Sequence, residues 1–253
     1  MLVYRPGRFI FFLTLYLLAA CAGPSQYQKE KEANAFKEIG EAYMRQRNFT
    51  SALAEFLKAE KLAPNDPLLH NDLGLCYMAK NRLDLSVQHF KKAIQIKPDY
   101  AAARNNLGTA YLSQKDWDAA IATFKEITKD LLYATPHYPL SNLGLAYFNK
   151  GDYAMAENYY QQALKLEPDF FLALRGLGRT NLSMGKANEA ISMLEKAAAV
   201  SPTNAAIYLD LAQAYEMVGD YLSAINAYEK VLKIEPQGLQ ADQANKGLAR
   251  LRP

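Results

Sequence analysis

The chain has 253 residues, 50% of them hydrophobic and 22% charged, with a formal net charge of +3 at pH 7. That length and apolar content suffice for a sizeable buried core. The charge falls to +1 without Arg5 and Arg8, so the body has no global field to gather nucleic acid, and a nucleic-acid partner is not expected.

The N-terminus reads as a targeting segment. Residues 1–8 carry Arg5 and Arg8, and residues 9–17 form an almost unbroken apolar run, too short for the ~20 residues that span a bilayer. Leu18-Ala19-Ala20-Cys21 follows and resembles a lipobox, with small residues before the cut and a cysteine for lipid attachment. The expected division is a signal peptide over 1–20 and a lipidated Cys21 with its tether over 21–32, helical character starting near Lys29. With Cys21 committed to lipid, Cys76 has no disulfide partner and reads as a small buried thiol.

Internal repetition dominates the remainder. Pro64, Pro98, Pro168, Pro202 and Pro236 are separated by 34, 70, 34 and 34 residues, so the long gap holds two repeats with two extra residues. The repeats are 33–66, 67–100, 101–136, 137–170, 171–204 and 205–238, followed by a capping helix over 239–253. Position 8 holds Gly40, Gly74, Gly108, Gly144, Gly178 and Ala212; position 24 holds Phe56, Phe90, Phe124, Tyr160, Leu194 and Tyr228. Position 11 is tyrosine in every repeat except the fifth, which has Asn181, and position 4 is aromatic only at Phe36 and Tyr208. Positions 4, 7, 8 and 11 share one face of a first helix, and positions 20, 24 and 27 share one face of a second. Small residues at 8 and 20 let the two helices approach, and the large ones at 11 and 24 fill the space beside them. The pattern resembles the tetratricopeptide repeat (TPR), which implies an all-α, right-handed TPR superhelical solenoid of six helix-turn-helix repeats. Each hairpin leaves an apolar side that only stacking buries.

In such a stack, positions 2, 5, 9 and 12 of the first helices face a concave groove. These are Leu68, Asn71, Leu75 and Met78 in repeat 2, and Ala102, Asn105, Thr109 and Leu112 in repeat 3. Repeat 4 supplies Tyr138, Ser141, Leu145 and Phe148, and repeat 5 supplies Leu172, Arg175, Arg179 and Leu182. An apolar stripe edged by asparagines suits a protein segment whose side chains need pockets and whose backbone needs hydrogen bonds. Burial of these side chains by adjacent repeats is the competing reading. Arg175 and Arg179, one turn apart, fit a carboxylate clamp, or pair with a neighbouring acid such as Glu216. Catalytic motifs are lacking. His70, His89 and His137 show no metal-ligand spacing, Gly176-Leu177-Gly178 sits inside a repeat helix, and carboxylates fall at solvent positions. No enzymatic activity, cofactor, metal or small-molecule substrate is expected.

The irregular third boundary, Lys129-Asp130-Leu131-Leu132-Tyr133-Ala134-Thr135-Pro136, is the most distinctive segment. A lipobox, six repeats and an expanded turn with a Leu-Tyr-x-x-Pro core resemble the type IV pilus biogenesis lipoproteins of the PilF/PilW/Tgl type. The regularity of repeats 5 and 6 is a departure from some members. The resemblance implies a pilotin: an outer-membrane lipoprotein that binds secretin subunits and promotes their insertion and multimerisation, with Tyr133, Thr135 and Pro136 as candidate contacts in the expanded turn. Ala22 after the cysteine agrees with outer-membrane sorting. A scaffold lipoprotein gathering cell-wall enzymes or outer-membrane assembly factors fits the same residues.

Overall fold

The turn inside each repeat shows how local chemistry sets the architecture. Position 15 is left-handed in all six: Arg47, Asn81 and Lys115 have φ of 58°, 57° and 62°, and Gly151, Gly185 and Gly219 have φ of 85°, 75° and 78°. One such residue stops the first helix and turns the chain back against it. Position 16 then caps the second helix. Asn48, Asp116, Asp152 and Asp220 each accept a hydrogen bond from the backbone N–H three residues on, satisfying a donor the helix leaves open. Arg82 and Lys186 occupy the same position without a side-chain cap bond.

A computed structural model describes residues 25–129 and 134–251. Among them are thirteen helices and no strand, so the all-α expectation holds. They are α1 (Gln26–Arg45), α2 (Phe49–Leu62), α3 (Pro67–Ala79), α4 (Leu83–Ile96), α5 (Ala101–Gln114), α6 (Trp117–Thr128) and α7 (His137–Lys150). The rest are α8 (Tyr153–Leu166), α9 (Phe171–Ser183), α10 (Ala187–Val200), α11 (Ala205–Val218), α12 (Tyr221–Ile234) and α13 (Leu239–Leu251). Helix α1 begins earlier than Lys29, inside the expected tether, because Ser25 and Gln28 form a reciprocal capping box there. The signal segment, Cys21 and Tyr133 lie outside the described residues. No helix among the described residues is long and apolar enough to cross a membrane.

The chain divides into two compact units, one ending at Asp99 and the other starting at Tyr100. In the first, Phe56, Leu69, Leu73 and Cys76 form the core with Ala52 and Ala59. Burial pushes the Cys76 thiol up to about 12, which suits an inert packing residue. In the second, one cluster centres on Phe124, Leu143 and Tyr160, and another on Leu194, Ile207 and Tyr228. The latter continues into Ala244 and Leu248 of α13, which covers the last hairpin as a cap.

The pairing of positions 8 and 24 is direct. A Cβ built on Gly40, Gly74 or Gly108 would lie 2.5–2.6 Å from the ring of Phe56, Phe90 or Phe124, and on Gly178 it would lie 2.6 Å from Leu194. Those rings are fully buried, each worth about 1.5–3 kcal/mol of apolar transfer. Tyrosine at position 24 reaches further. Tyr160 lies against both Gly144 and Gly176, and Tyr228 against Gly247 of α13. Gly176 and Gly178 therefore each make room for a different large side chain, and the Gly-x-Gly is a packing feature.

Candidate functional site

The groove positions do not behave alike. Position 2 is the most open, with Leu68, Tyr138 and Leu172 exposed by 47%, 45% and 48%. Position 5 is divided, with Asn71 and Ser141 buried and Asn105 and Arg175 half-buried. Leu75, Met78, Thr109, Leu112, Leu145, Phe148 and Arg179 are half-buried. Part of the stripe is thus consumed by the packing of neighbouring helices, as with Leu112, Leu145 and Phe148 against the core of the second unit.

In the first unit, Leu68 is the outward apolar residue of α3, with Leu75 and Met78 beneath it on the same helix. The Asn71 side chain reaches Asp72 at 3.4 Å. In α5 of the second unit, the Thr109 hydroxyl donates to the backbone carbonyl of Asn105 at 3.0 Å, so its polarity is used within its own helix. The Asn105 Oδ1 is buried and has no hydrogen-bond partner.

The most developed feature lies between α7 and α9. A cavity of about 150 Å³ is walled by Ser141 and Leu145 of α7, Tyr160 of α8, and Leu172, Arg175, Gly176 and Arg179 of α9. Gly176 contributes no side chain to fill it. The two arginines are drawn to its edges by different partners. Arg175 Nε donates to Asp210 Oδ2 of α11 at 2.6 Å. Arg179 stands over the Phe148 ring with its guanidinium carbon 4.9 Å from the centroid, a cation–π contact. Arg179 makes no ion pair among the described residues, although its charge also acts on Asp210.

The structure corrects two readings of these charges. Arg175 does pair with a neighbouring acid, Asp210 in place of Glu216, which pairs with Arg250 at 3.0 Å and accepts from the Tyr228 hydroxyl. Asp210 is also 93% buried, contrary to carboxylates lying only at solvent positions; burial raises its pKa and the Arg175 charge holds part of that rise back. Charge alone does not announce Asp210, because it is one of 26 acids and its burial comes from helix stacking.

Two further features escaped sequence reasoning. Asn181, standing where the other repeats have tyrosine, leaves a cleft of about 380 Å³ bordered by the Glu157–Lys186 ion pair, and its Oδ1 is buried without a partner. The missing ring was the visible signal. In the first unit, Glu60, His70 and His89 converge, each offering a donor atom within 4.8 Å of the others. They come from three helices, so no short spacing betrays them. In the expanded turn, Thr135 is exposed and its carbonyl accepts from the Tyr138 N–H at 3.1 Å, while the Pro136 carbonyl accepts from the Leu140 N–H at 3.3 Å, opening α7.

Comparison with known proteins agrees with the repeat architecture. Tetratricopeptide-repeat profiles match residues 33–66, 74–115, 97–137, 138–170 and 169–237. A curated relative, the CTR9 homolog of Arabidopsis thaliana, is 29% identical over 126 residues, which is 46% of this chain but only 12% of that protein. The crystal structure of PilW, a widely conserved type IV pilus biogenesis factor, superposes with a TM-score of 0.76 at 23% identity, over 84% of this chain and 98% of PilW. PilF of Pseudomonas aeruginosa gives 0.71 at 19% identity, over 86% of this chain and 98% of its own. YrrB, a TPR protein with an unusual peptide-binding site, gives 0.53 at 19% identity, covering 76% of this chain and 97% of its own. At these identities the solved structures speak to the fold. With profiles matching from residue 33 to residue 237, in phase with helical hairpins closed by small residues against large ones, the chain belongs to the tetratricopeptide-repeat family.

Proposed function

We propose that this chain is an outer-membrane lipoprotein, anchored through Cys21, that acts as a pilotin: it binds secretin subunits and promotes their targeting and multimerisation for type IV pilus biogenesis. The observation that carries the reading is the reach of its likeness to PilW and PilF, which takes in 98% of each of those chains and so extends through the whole repeat body. The lipobox and the expanded third turn point the same way.

The repeat stack supplies the binding surface and no reaction chemistry. In the second unit, the cavity beside Leu145 and Leu172 takes an apolar side chain of an extended segment, and Arg179 donates to that segment's carbonyls or a carboxylate. The lipid gives the destination and the groove holds one stretch of the subunit on the way.

The test is genetic. Deleting the gene is expected to leave secretin monomer present and to strip detergent-resistant multimers from the outer-membrane fraction, with loss of pilus fibres. Leu172→Glu combined with Arg179→Glu, at two partly solvent-facing positions, is expected to reproduce the multimer defect at unchanged melting temperature. Normal multimers in the deletion strain would return the protein to the scaffold class.

A further inference from the structure

The Glu60–His70–His89 cluster uses none of the groove residues and owes nothing to the pilotin reading. Glu60 projects from α2 in repeat 1, and His70 and His89 from α3 and α4 in repeat 2. His70 is at position 4, where Tyr208 stands in repeat 6. The two rings make one shared contact: Tyr208 donates its hydroxyl to the Pro202 carbonyl at 3.2 Å, and His70 bonds the equivalent Pro64 carbonyl through Nε2 at 2.9 Å. That contact belongs to repeat packing. What the imidazole adds is a second nitrogen.

A carbonyl only accepts, so the proton of a neutral His70 is on Nε2 and the Nδ1 lone pair is free. That lone pair faces His89 Nδ1 at 3.0 Å and lies 3.7 Å from Glu60 Oε1. In a tetrahedral zinc site with bonds of ~2.0–2.1 Å, donors stand about 3.3–3.4 Å apart; these two separations lie on either side of that edge, and the third, from Glu60 to His89, is within 4.8 Å. The rest of the site has the features of a metal centre. The Pro64 carbonyl on the far nitrogen of His70 fixes tautomer and ring orientation, the role that outer carbonyls perform for metal-bound histidines. The His89 ring is stacked on Tyr77, with centroids 5.2 Å apart. His70 is 97% buried, whereas the Glu60 side chain is 29% exposed and gives an ion a way in.

We propose that Glu60 Oε1, His70 Nδ1 and His89 Nδ1 bind one divalent transition-metal ion of the zinc class. Two imidazoles and a carboxylate favour zinc over calcium or magnesium, which take all-oxygen shells. The fourth position is left to water. Because the ligands come from both hairpins of the first unit, the ion staples repeat 1 to repeat 2 and stabilises the folded state by mass action. Without the ion, His89 Nδ1–H donates to His70 Nδ1, so a single proton holds the place the metal takes.

The experiment is zinc and cobalt titration of the full chain, purified without a histidine tag and stripped with chelator. One equivalent of zinc is expected to bind and to raise the melting temperature, and cobalt is expected to give the intense visible bands of a four-coordinate ion. His89→Gln and, separately, Glu60→Gln are expected to weaken zinc binding by more than about a hundredfold, beyond the roughly 10–100-fold that loss of an outer-shell contact costs. Both should keep the ion-free helix content. Glu60 is the more solvent-facing ligand and carries the test if His89→Gln fails to fold. No bound zinc above the chelator blank, or equal binding by the wild type and Glu60→Gln, overturns the site.

Discussion

At the scale of single residues, the most informative position is the left-handed turn residue at position 15. Repeats 4 to 6 use glycine there, while repeats 1 to 3 place Arg47, Asn81 and Lys115 in the same conformation. An L side chain in this region costs roughly 1–2 kcal/mol, and asparagine bears it best. Glycine relieves that cost but gives part of it back through the greater freedom of the unfolded chain. Lys115→Gly is therefore expected to stabilise the fold by about 0.5–1 kcal/mol, read as a rise in chemical-denaturation midpoint at unchanged slope. Asn81→Gly should gain less. The same scale shows where sequence reading stops. The small residues at positions 8 and 20 and the large ones at 11 and 24 were legible as a packing set, because their spacing recurs in phase; that position 24 sits directly on position 8 is seen in the structure. Asp210 and the histidine cluster were not legible, because each depends on which helix faces which.

At the scale of elements, the second helices and the closing helix α13 carry the argument. Tyr228 of α12 is held between its own hairpin and Gly247 of α13, and its hydroxyl donates to Glu216, which also pairs with Arg250 of α13. Burial, and then the Glu216 carboxylate, push the Tyr228 phenol up to about 12 from an ordinary 10.0. Tyr215, which donates to Glu195 at 2.8 Å, is likewise pushed up to about 12, mainly by burial. Both folded values exceed the unfolded one, so above pH ~10 the unfolded chain loses these protons first. Their contribution is complete below pH ~10 and is lost as pH rises towards ~12. Thermal melts at increasing pH should show an alkaline fall, and Tyr228→Phe combined with Tyr215→Phe should flatten it. An unchanged slope in the double variant would assign the fall to other groups. The existence of α13 was legible from apolar residues at helical spacing after Gly238. Its interlock with Tyr228 was not, since Gly247 carries no apolar signal.

At the scale of the whole molecule, the chain has two compact units and an N-terminal segment that resembles a lipobox-bearing signal. On the proposed reading, the lipid puts the protein where its partner is. Buried acyl carbon contributes ~0.8 kcal/mol per CH₂, so one chain holds marginally and two or more hold stably. Cys21→Ser is expected to abolish palmitate labelling and to leave an unprocessed or soluble form, scored by metabolic labelling and membrane fractionation. Unlabelled wild-type protein free in the periplasm would contradict the anchor.

The sequence by itself determined the repeat. The 34-residue recurrence of prolines, the phase of small and large apolar residues and the six in-register hairpins follow from periodicities that a linear chain displays directly. The turn caps seen in the structure are equally local, since the bonds of Asn48, Asp116, Asp152 and Asp220 span three residues, although the repeat reading did not draw on them. Helix packing settles which groove positions stay open, brings Arg175 to Asp210 and Arg179 to Phe148, and makes Glu60, His70 and His89 converge. The physical reason is one of range. Helix faces and turns are set by neighbours a few residues apart, whereas a cavity or a ligand set depends on how successive helices settle against one another, which side-chain volume decides across 19 to 35 residues of chain.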